Sequence, residues 1–232
     1  MLIPWLDHAN PEFPPIETAL SEPEGLLAAG GKLSADTLLK AYRLGIFPWY
    51  EAPDPVLWWS PDPRSILEPA EVHISRSMRK LLRKPPFTLS CDRAFVDVMR
   101  ACAAPRNYTE HTWIGNEMIA AYQALHKAGF AHSIEVWRND ELVGGLYGVA
   151  IGCVFCGESM FSNVNNASKF AFIHLCHILK KTGFQFIDCQ LESGHLRTLG
   201  AKNISRQDFK NRLRAAIHQE PAYSPWKLLS ND

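Results

Sequence analysis

Residues 133–162 read SIEVWRNDELVGGLYGVAIGCVFCGESMFS, and their periodicity decides the fold. Ser133-Ile134-Glu135-Val136-Trp137 alternates polar with apolar side chains, the period of a strand whose two faces differ. Asn139-Asp140 supplies a polar turn, and strands are predicted over 141–151 and 153–162, hinged at Gly152. The uncharged run 142–157 spans 16 residues and is interrupted by Gly144, Gly145, Gly148 and Gly152. It is too short and too broken for a membrane span, so paired strands explain it.

Upstream, a helix is predicted over 116–128, ended by Gly129; downstream, one over 167–181, stopped by Gly183. A strand at 186–191, a short helix at 193–199, a strand at 201–205 and a closing helix at 206–218 follow. Meander, helix, strand, helix, strand is the order of an acetyltransferase-like layer. The first 65 residues are punctuated by proline and end in Trp58-Trp59-Ser60-Pro61-Asp62-Pro63-Arg64. One helix is expected there, over 35–44, capped by Ser34 and stopped by Gly45. The fold class is therefore α+β: a small N-terminal α/β domain over 1–65 and a GNAT (acetyltransferase)-like domain over 66–232. Its sheet is expected to be mixed, mostly antiparallel and flanked by helices.

The 232 residues carry 24 Lys+Arg and 24 Asp+Glu, a formal net charge of zero that argues against an anionic partner. The split is uneven: residues 1–62 hold three bases and nine acids, a net of −6, and the remainder holds +6. An anionic partner is thus open for the second part. Composition, 47% hydrophobic and 21% charged, excludes disordered and fibrous classes. The N-terminal residues lack a basic segment followed by an unbroken apolar stretch, so no secretory signal and a cytoplasmic protein are expected.

Six cysteines and a lone Cys153-Val154-Phe155-Cys156 raise a metal site. Residues three apart on a strand point to opposite faces and cannot chelate one ion, so the thiols read as buried structural groups. His174 and His177 have no partnering carboxylates and read as packed or surface side chains. No metal is expected. Gly30-Gly31-Lys32-Leu33 lacks the first glycine and the Ser/Thr of a phosphate loop, and Asn163-Val164-Asn165-Asn166 lacks the glycines that would cradle coenzyme A. No cofactor is expected.

Two features carry chemistry. Arg76, Arg79, Lys80, Arg83 and Lys84 fall at i, i+3, i+4, i+7 and i+8 of a predicted helix, with Ile74, Met78, Leu81 and Leu82 on the other side. Five like charges on one stripe repel one another unless phosphates meet them. A second basic stretch, 197–227, has seven bases and two acids and could extend that surface. Separately, Glu158 and Asp188 interrupt apolar strands, where a carboxylate is costly unless paired or used. Glu158, Met160 and Ser162 are expected to share one face, and Asp188 and Gln190 another.

Several blocks, in order, complete the reading: Gly25-Leu26-Leu27-Ala28-Ala29-Gly30-Gly31, Tyr42-Arg43-Leu44-Gly45-Ile46-Phe47-Pro48-Trp49, the Trp58–Arg64 block, His73-Ile74-Ser75-Arg76-Ser77, Phe155-Cys156-Gly157-Glu158-Ser159-Met160-Phe161-Ser162 and Ile187-Asp188-Cys189-Gln190. With them the chain resembles the bacterial leucyl/phenylalanyl-tRNA–protein transferase family over nearly its whole length. The resemblance implies an aminoacyltransferase that moves Leu or Phe, and less well Met, from aminoacyl-tRNA to the α-amino group of proteins with N-terminal Arg or Lys, marking them for N-end rule degradation. It assigns catalysis to Asp188, Gln190 and Glu158, with Ser162 completing the polar wall. The donor side chain is expected among Tyr42, Trp49, Trp113, Tyr122, Leu146, Met160, Leu175 and Ile187. Leu146 and Leu175 stand where the family usually has Met and Phe. Arg76, Arg79, Lys80, Arg83 and Lys84 become the tRNA-binding face, and a monomer is expected. The residues alone also admit another aminoacyl-tRNA-dependent acyltransferase of the peptidoglycan-branching type, or a non-catalytic tRNA-binding protein.

Overall fold

The structure, a computed structural model, describes residues 3–51, 53–104 and 113–228. The chain begins with β1 (Trp5–Leu6), β2 (Leu26–Gly30), α1 (Ala35–Arg43), β3 (Phe47–Pro48) and β4 (Leu57–Trp59). These strands form a small sheet in the order β1-β2-β4-β3, with β1 parallel to β2 and the other pairs antiparallel. The helix forms where expected: Ser34 Oγ accepts the Thr37 N–H at 3.3 Å, and the chain leaves it through Gly45 at φ +80°. A Cβ at Gly45 would lie 2.7 Å from the Phe209 ring, so the turn doubles as a close approach between distant segments.

The chain continues with β5 (Arg64–Leu67), α2 (Arg76–Arg83), β6 (Thr88–Cys91), α3 (Phe95–Ala103), α4 (Asn116–Lys127), β7 (Ala131–Arg138), β8 (Glu141–Ile151) and β9 (Val154–Ser162). After these come α5 (Ala167–Thr182), β10 (Phe186–Gln190), α6 (Gly194–Thr198), β11 (Lys202–Ile204) and α7 (Arg206–Ala216). Seven strands make a large sheet in the order β11-β5-β10-β9-β8-β7-β6. Every neighbouring pair is antiparallel except β9 with β10. The molecule is α+β, and its second part follows the acetyltransferase-like order expected from the sequence. β5, β6 and α3 had no sequence signal: β5 and β6 are four residues each, and α3 begins at Ala94 without a capping side chain. Among the described residues no helix is long and apolar enough to cross a membrane.

Helices cover both faces of the large sheet, and the alternation along β8 shows it. Tyr147 and Val149 belong to one core, shared with α3, α4, α7 and the small sheet; Leu146 belongs to the other, built around α5. α5 is apolar nearly all round, with Phe170, Ala171, Ile173, Leu175 and Leu179 buried, and it approaches β8 at Gly144. There an added Cβ would come within 2.5 Å of Ala167. All six cysteines are buried, the structural thiols expected.

The β8–β9 ladder slips by one residue: Gly148 faces Gly157 and Tyr147 faces Ser159, which leaves Glu158 as the extra residue of a bulge. Gly148 is what permits it, since a Cβ there would meet the Cys156 carbonyl oxygen at 2.3 Å and the Phe155 ring at 2.5 Å. Gly148→Ala is expected to lower the unfolding free energy in urea by about 1–3 kcal/mol, the usual cost of overpacking. Gly157→Ala is the control: its new Cβ would find its nearest neighbour at 3.7 Å. Its unfolding free energy is expected to stay within about 1 kcal/mol of the wild type.

Candidate active site

The parallel pair creates the site. The ladder between β9 and β10 ends at Cys156 and Asp188, while both strands run on, to Ser162 and Gln190. Each strand is irregular just past that point. Glu158 is the bulged residue of β9, and β10 shifts register against β5 between Asp188 and Gln190. Gln190 takes φ +61°, a left-handed conformation that a side chain rarely adopts. The two side chains close the gap: Gln190 Nε2 donates to Glu158 Oε1 at 2.8 Å.

The bulge overturns one expectation. Glu158 does not share a face with Met160, because the extra residue turns it toward the α4 side with Ser159 and Tyr147. There Glu158 Oε2 accepts the Tyr122 hydroxyl at 2.9 Å, and the Tyr122 oxygen in turn is hydrogen-bonded to the Tyr42 hydroxyl. Burial raises both phenols well above their ordinary range, so they stay protonated and act as donors. Burial also raises Glu158, to about 7, against the opposing hydrogen bonds from Tyr42, Tyr122 and Gln190.

Asp188 sits differently. It is 1% exposed, and both oxygens face Arg64: Arg64 Nε donates to Oδ1 at 2.8 Å and Nη2 to Oδ2 at 2.7 Å. Oδ1 also accepts the backbone N–H of Gln190 at 2.9 Å. The guanidinium carbon lies 4.8 Å from the Phe47 ring centre and 4.4 Å from that of Phe209. Arg64 is a functional residue that neither periodicity nor spacing singles out. An arginine opening the apolar run Arg64-Ser65-Ile66-Leu67 was the available signal, hidden by the proline-rich block that precedes it.

The residues expected around the donor side chain divide between the two faces. Leu146, Leu175 and Ile187 are buried together in the α5 core with Met160 packed against it. Tyr42 and Tyr122 are in the other core, with Trp113 against it. Trp49 is 41% exposed, with its ring 5.5 Å from that of Trp59. Ser162 joins β9 to α5: its hydroxyl donates to the Val164 carbonyl at 2.8 Å and accepts the Ser168 N–H at 3.2 Å. A surface cavity of about 530 Å³, lined by Arg43, Phe130, Ile217 and Trp226 among others, contains none of these groups.

α2 presents its charges as the spacing implied. Ser75 Oγ accepts the Met78 N–H at 3.3 Å, Met78 is buried against the α5 core, and Arg76, Arg79, Lys80, Arg83 and Lys84 are exposed. None of the five joins an ion pair among the described residues. The second basic stretch does not extend this face freely. Arg197 pairs with Glu192, Lys202 with Glu68 and Glu71, Lys210 with Glu17, and Arg212 with Glu68. Its charge is largely met by the protein's own acids.

Asp92, His126 and His132 bring potential metal-ligand atoms within 4.8 Å of one another. Their geometry is that of hydrogen bonds: His132 Nδ1 lies 2.7 Å from Asp92 Oδ2 and its Nε2 3.1 Å from the Gly129 carbonyl, so both ring nitrogens are engaged.

Against known families, the chain matches the model described as leucyl/phenylalanyl-tRNA protein transferase over residues 66–214, and that family's N-terminal domain over 31–62. Relatives named leucyl/phenylalanyl-tRNA–protein transferase include one from Nitrosospira multiformis, 55% identical over 97% of this chain and 97% of its own. Another, from Pseudomonas fluorescens, is 53% identical over 97% and 99% of the two chains. A third, from Azotobacter vinelandii, is 55% identical over 91% and 94%.

The raised Glu158 has a consequence for stability. A carboxyl whose folded pKa lies above its ordinary 4.5 binds its proton more tightly in the native state, so the wild type loses stability as pH rises from about 4.5 to about 7. Glu158→Gln removes that loss. In urea unfolding the variant is expected to gain on the wild type between pH 5 and pH 8; equal differences at both would contradict it.

Proposed function

The chain belongs to the leucyl/phenylalanyl-tRNA–protein transferase family, and from that membership we propose that it transfers Leu or Phe, and less well Met, from tRNA to the N-terminal Arg or Lys of proteins. It is an aminoacyltransferase. Its place is the cytoplasm, its form a monomer with a small domain over 1–65, and its product a destabilising N-terminus. The bridging of Glu158 and Gln190 at the splayed end of β9 and β10 is the observation that carries the reading, because it puts an ionisable carboxylate and an amide together at a strand edge.

An aminoacyl-tRNA is an activated ester, so the protein has to place ester and amine together and take up a proton. The α-amine nitrogen attacks the ester carbonyl carbon, the bond to the ribose oxygen breaks, and the amine proton passes to Glu158. That proton then goes to the departing ribose oxygen, which leaves as a hydroxyl. A carboxyl held at about 7 suits both halves, since it both accepts and returns a proton near neutral pH. Asp188, committed to Arg64 and to the Gln190 backbone, acts by orienting Gln190. Leu146, Met160, Leu175 and Ile187, together with Tyr42, Trp49, Trp113 and Tyr122, seat the donor side chain. Arg76, Arg79, Lys80, Arg83 and Lys84 hold the acceptor-stem backbone with little base readout.

Radiolabelled Leu-tRNA with a protein bearing N-terminal Arg is expected to label it, while the same protein with N-terminal Ala stays unlabelled. Label on neither sinks the reading, as a non-catalytic tRNA-binding protein would produce. Glu158→Gln is expected to lower kcat by about 10²–10⁴-fold and to remove the rise in rate through about pH 7. The combined change Arg76→Ala with Arg83→Ala should weaken several leucine isoacceptors alike and flatten the salt slope of log K by about 1.4–1.8. Loss confined to one tRNA sequence would contradict backbone binding.

A further inference from the structure

Arg64 is 1% exposed, and β10, β3 and α7 each bring a side chain against it. We propose that Arg64 is a positioning residue for aminoacyl transfer, fixing Asp188 and, through the Gln190 backbone, the amide that orients Glu158. The inference rests on the reading of Glu158 and Gln190 as the transfer centre.

The chain of contacts is continuous. Two guanidinium nitrogens grip both oxygens of Asp188 at 2.8 and 2.7 Å, which fixes the plane of the carboxylate as well as its place. One gripped oxygen, Oδ1, accepts the Gln190 N–H at 2.9 Å. That N–H lies at the register shift of β10, at a residue with φ +61°, where a strained backbone persists only when its surroundings over-determine it. The Asp188 carboxylate is the group that determines it. The kink then aims Gln190 Nε2 at Glu158 Oε1, 2.8 Å away. Neutral packing at position 64 would leave the carboxylate free to turn about its last bond, and the error would be handed on to Gln190.

Two contacts set Arg64 itself. Phe47 of β3 and Phe209 of α7 lie 4.8 and 4.4 Å from its guanidinium carbon, so the small sheet and the last helix jointly locate it. Its third nitrogen, Nη1, has no hydrogen-bond partner among the described residues. Lysine cannot reproduce this: an ammonium is a point donor, holding one oxygen and leaving the plane of the carboxylate unset.

The test is steady-state transfer from Leu-tRNA to a protein with N-terminal Arg, with wild type, Arg64→Lys and the double variant Arg64→Met with Asp188→Leu. The double variant removes both charges together and strands neither in the interior. For Arg64→Lys the expectation is a wild-type circular dichroism spectrum, KM for Leu-tRNA within about threefold and kcat lower by about 10²-fold, the signature of a misplaced catalytic group. The double variant should unfold cooperatively in urea and show the same split. If either folded variant keeps kcat within threefold of wild type, the proposal is overturned. It is also overturned if KM and kcat fall together with the melting temperature, or if neither variant folds, because Arg64 is then a staple of the fold alone. A wild type that transfers nothing would instead remove the functional reading on which the inference stands.

Discussion

The Arg64–Asp188 pair is the constraint on which the rest of the structure turns. One partner opens β5, the other lies at the end of the β9–β10 ladder, and the guanidinium is flanked by rings from the small sheet and from α7. Four parts of the chain that are far apart in sequence thus meet at one buried charge pair. Such a pair does little for net stability, because the desolvation of two ions offsets most of their attraction. What it supplies is direction. A fork on a carboxylate has one geometry, and everything attached to that carboxylate inherits it.

The parallel pair explains why the site is where it is. In an antiparallel meander each strand satisfies its neighbour along its length, and no gap opens. β9 and β10 are joined through α5 and run side by side only as far as Cys156 and Asp188. Beyond that they need other partners, and side chains provide them. The bulge at Glu158 and the left-handed Gln190 are two local departures, on adjacent strands, that turn a carboxylate and an amide toward each other. Bulges are enriched beside active sites for this reason: they re-aim one residue without disturbing the ladder on either side.

Periodicity made the large sheet legible. The alternation at 133–137, the turn at Asn139-Asp140 and the glycine stops at Gly129 and Gly183 placed β7, β8, β9, α4 and α5 close to their observed bounds. It could not place β5 or β6, four residues each, whose strand character comes from the neighbours they pair with. The same limit applied to the site. Glu158 and Asp188 stood out as carboxylates inside apolar strands, but a period of two assigns faces only where the ladder is regular. A one-residue bulge moved Glu158 to the other face from Met160, and no local signal announces a bulge whose cause is Gly148 on the partner strand. Arg64 was hidden in another way, since its partner lies 124 residues away.

The charge asymmetry has two origins that a sum over the sequence merges. Part of it is internal complementarity: Lys210 reaches Glu17, the backbone N–H of Arg206 donates to Asp62, and Arg206 Nη1 donates to the Ile16 carbonyl, so the basic α7 lies against the acidic first part of the chain. Surface pairs of this kind are each worth at most about 1 kcal/mol, and their effect is mainly to decide which surfaces meet. Beside those matched pairs, the bases of the α2 stripe stand exposed with no acid within ion-pair distance among the described residues. Like charges at that spacing destabilise a helix, and α2 is kept by Ser75 at its start and by Met78 in the core. The neutral total conceals that exposed stripe, because residues 1–62 carry a net of −6 that balances the +6 of the remainder.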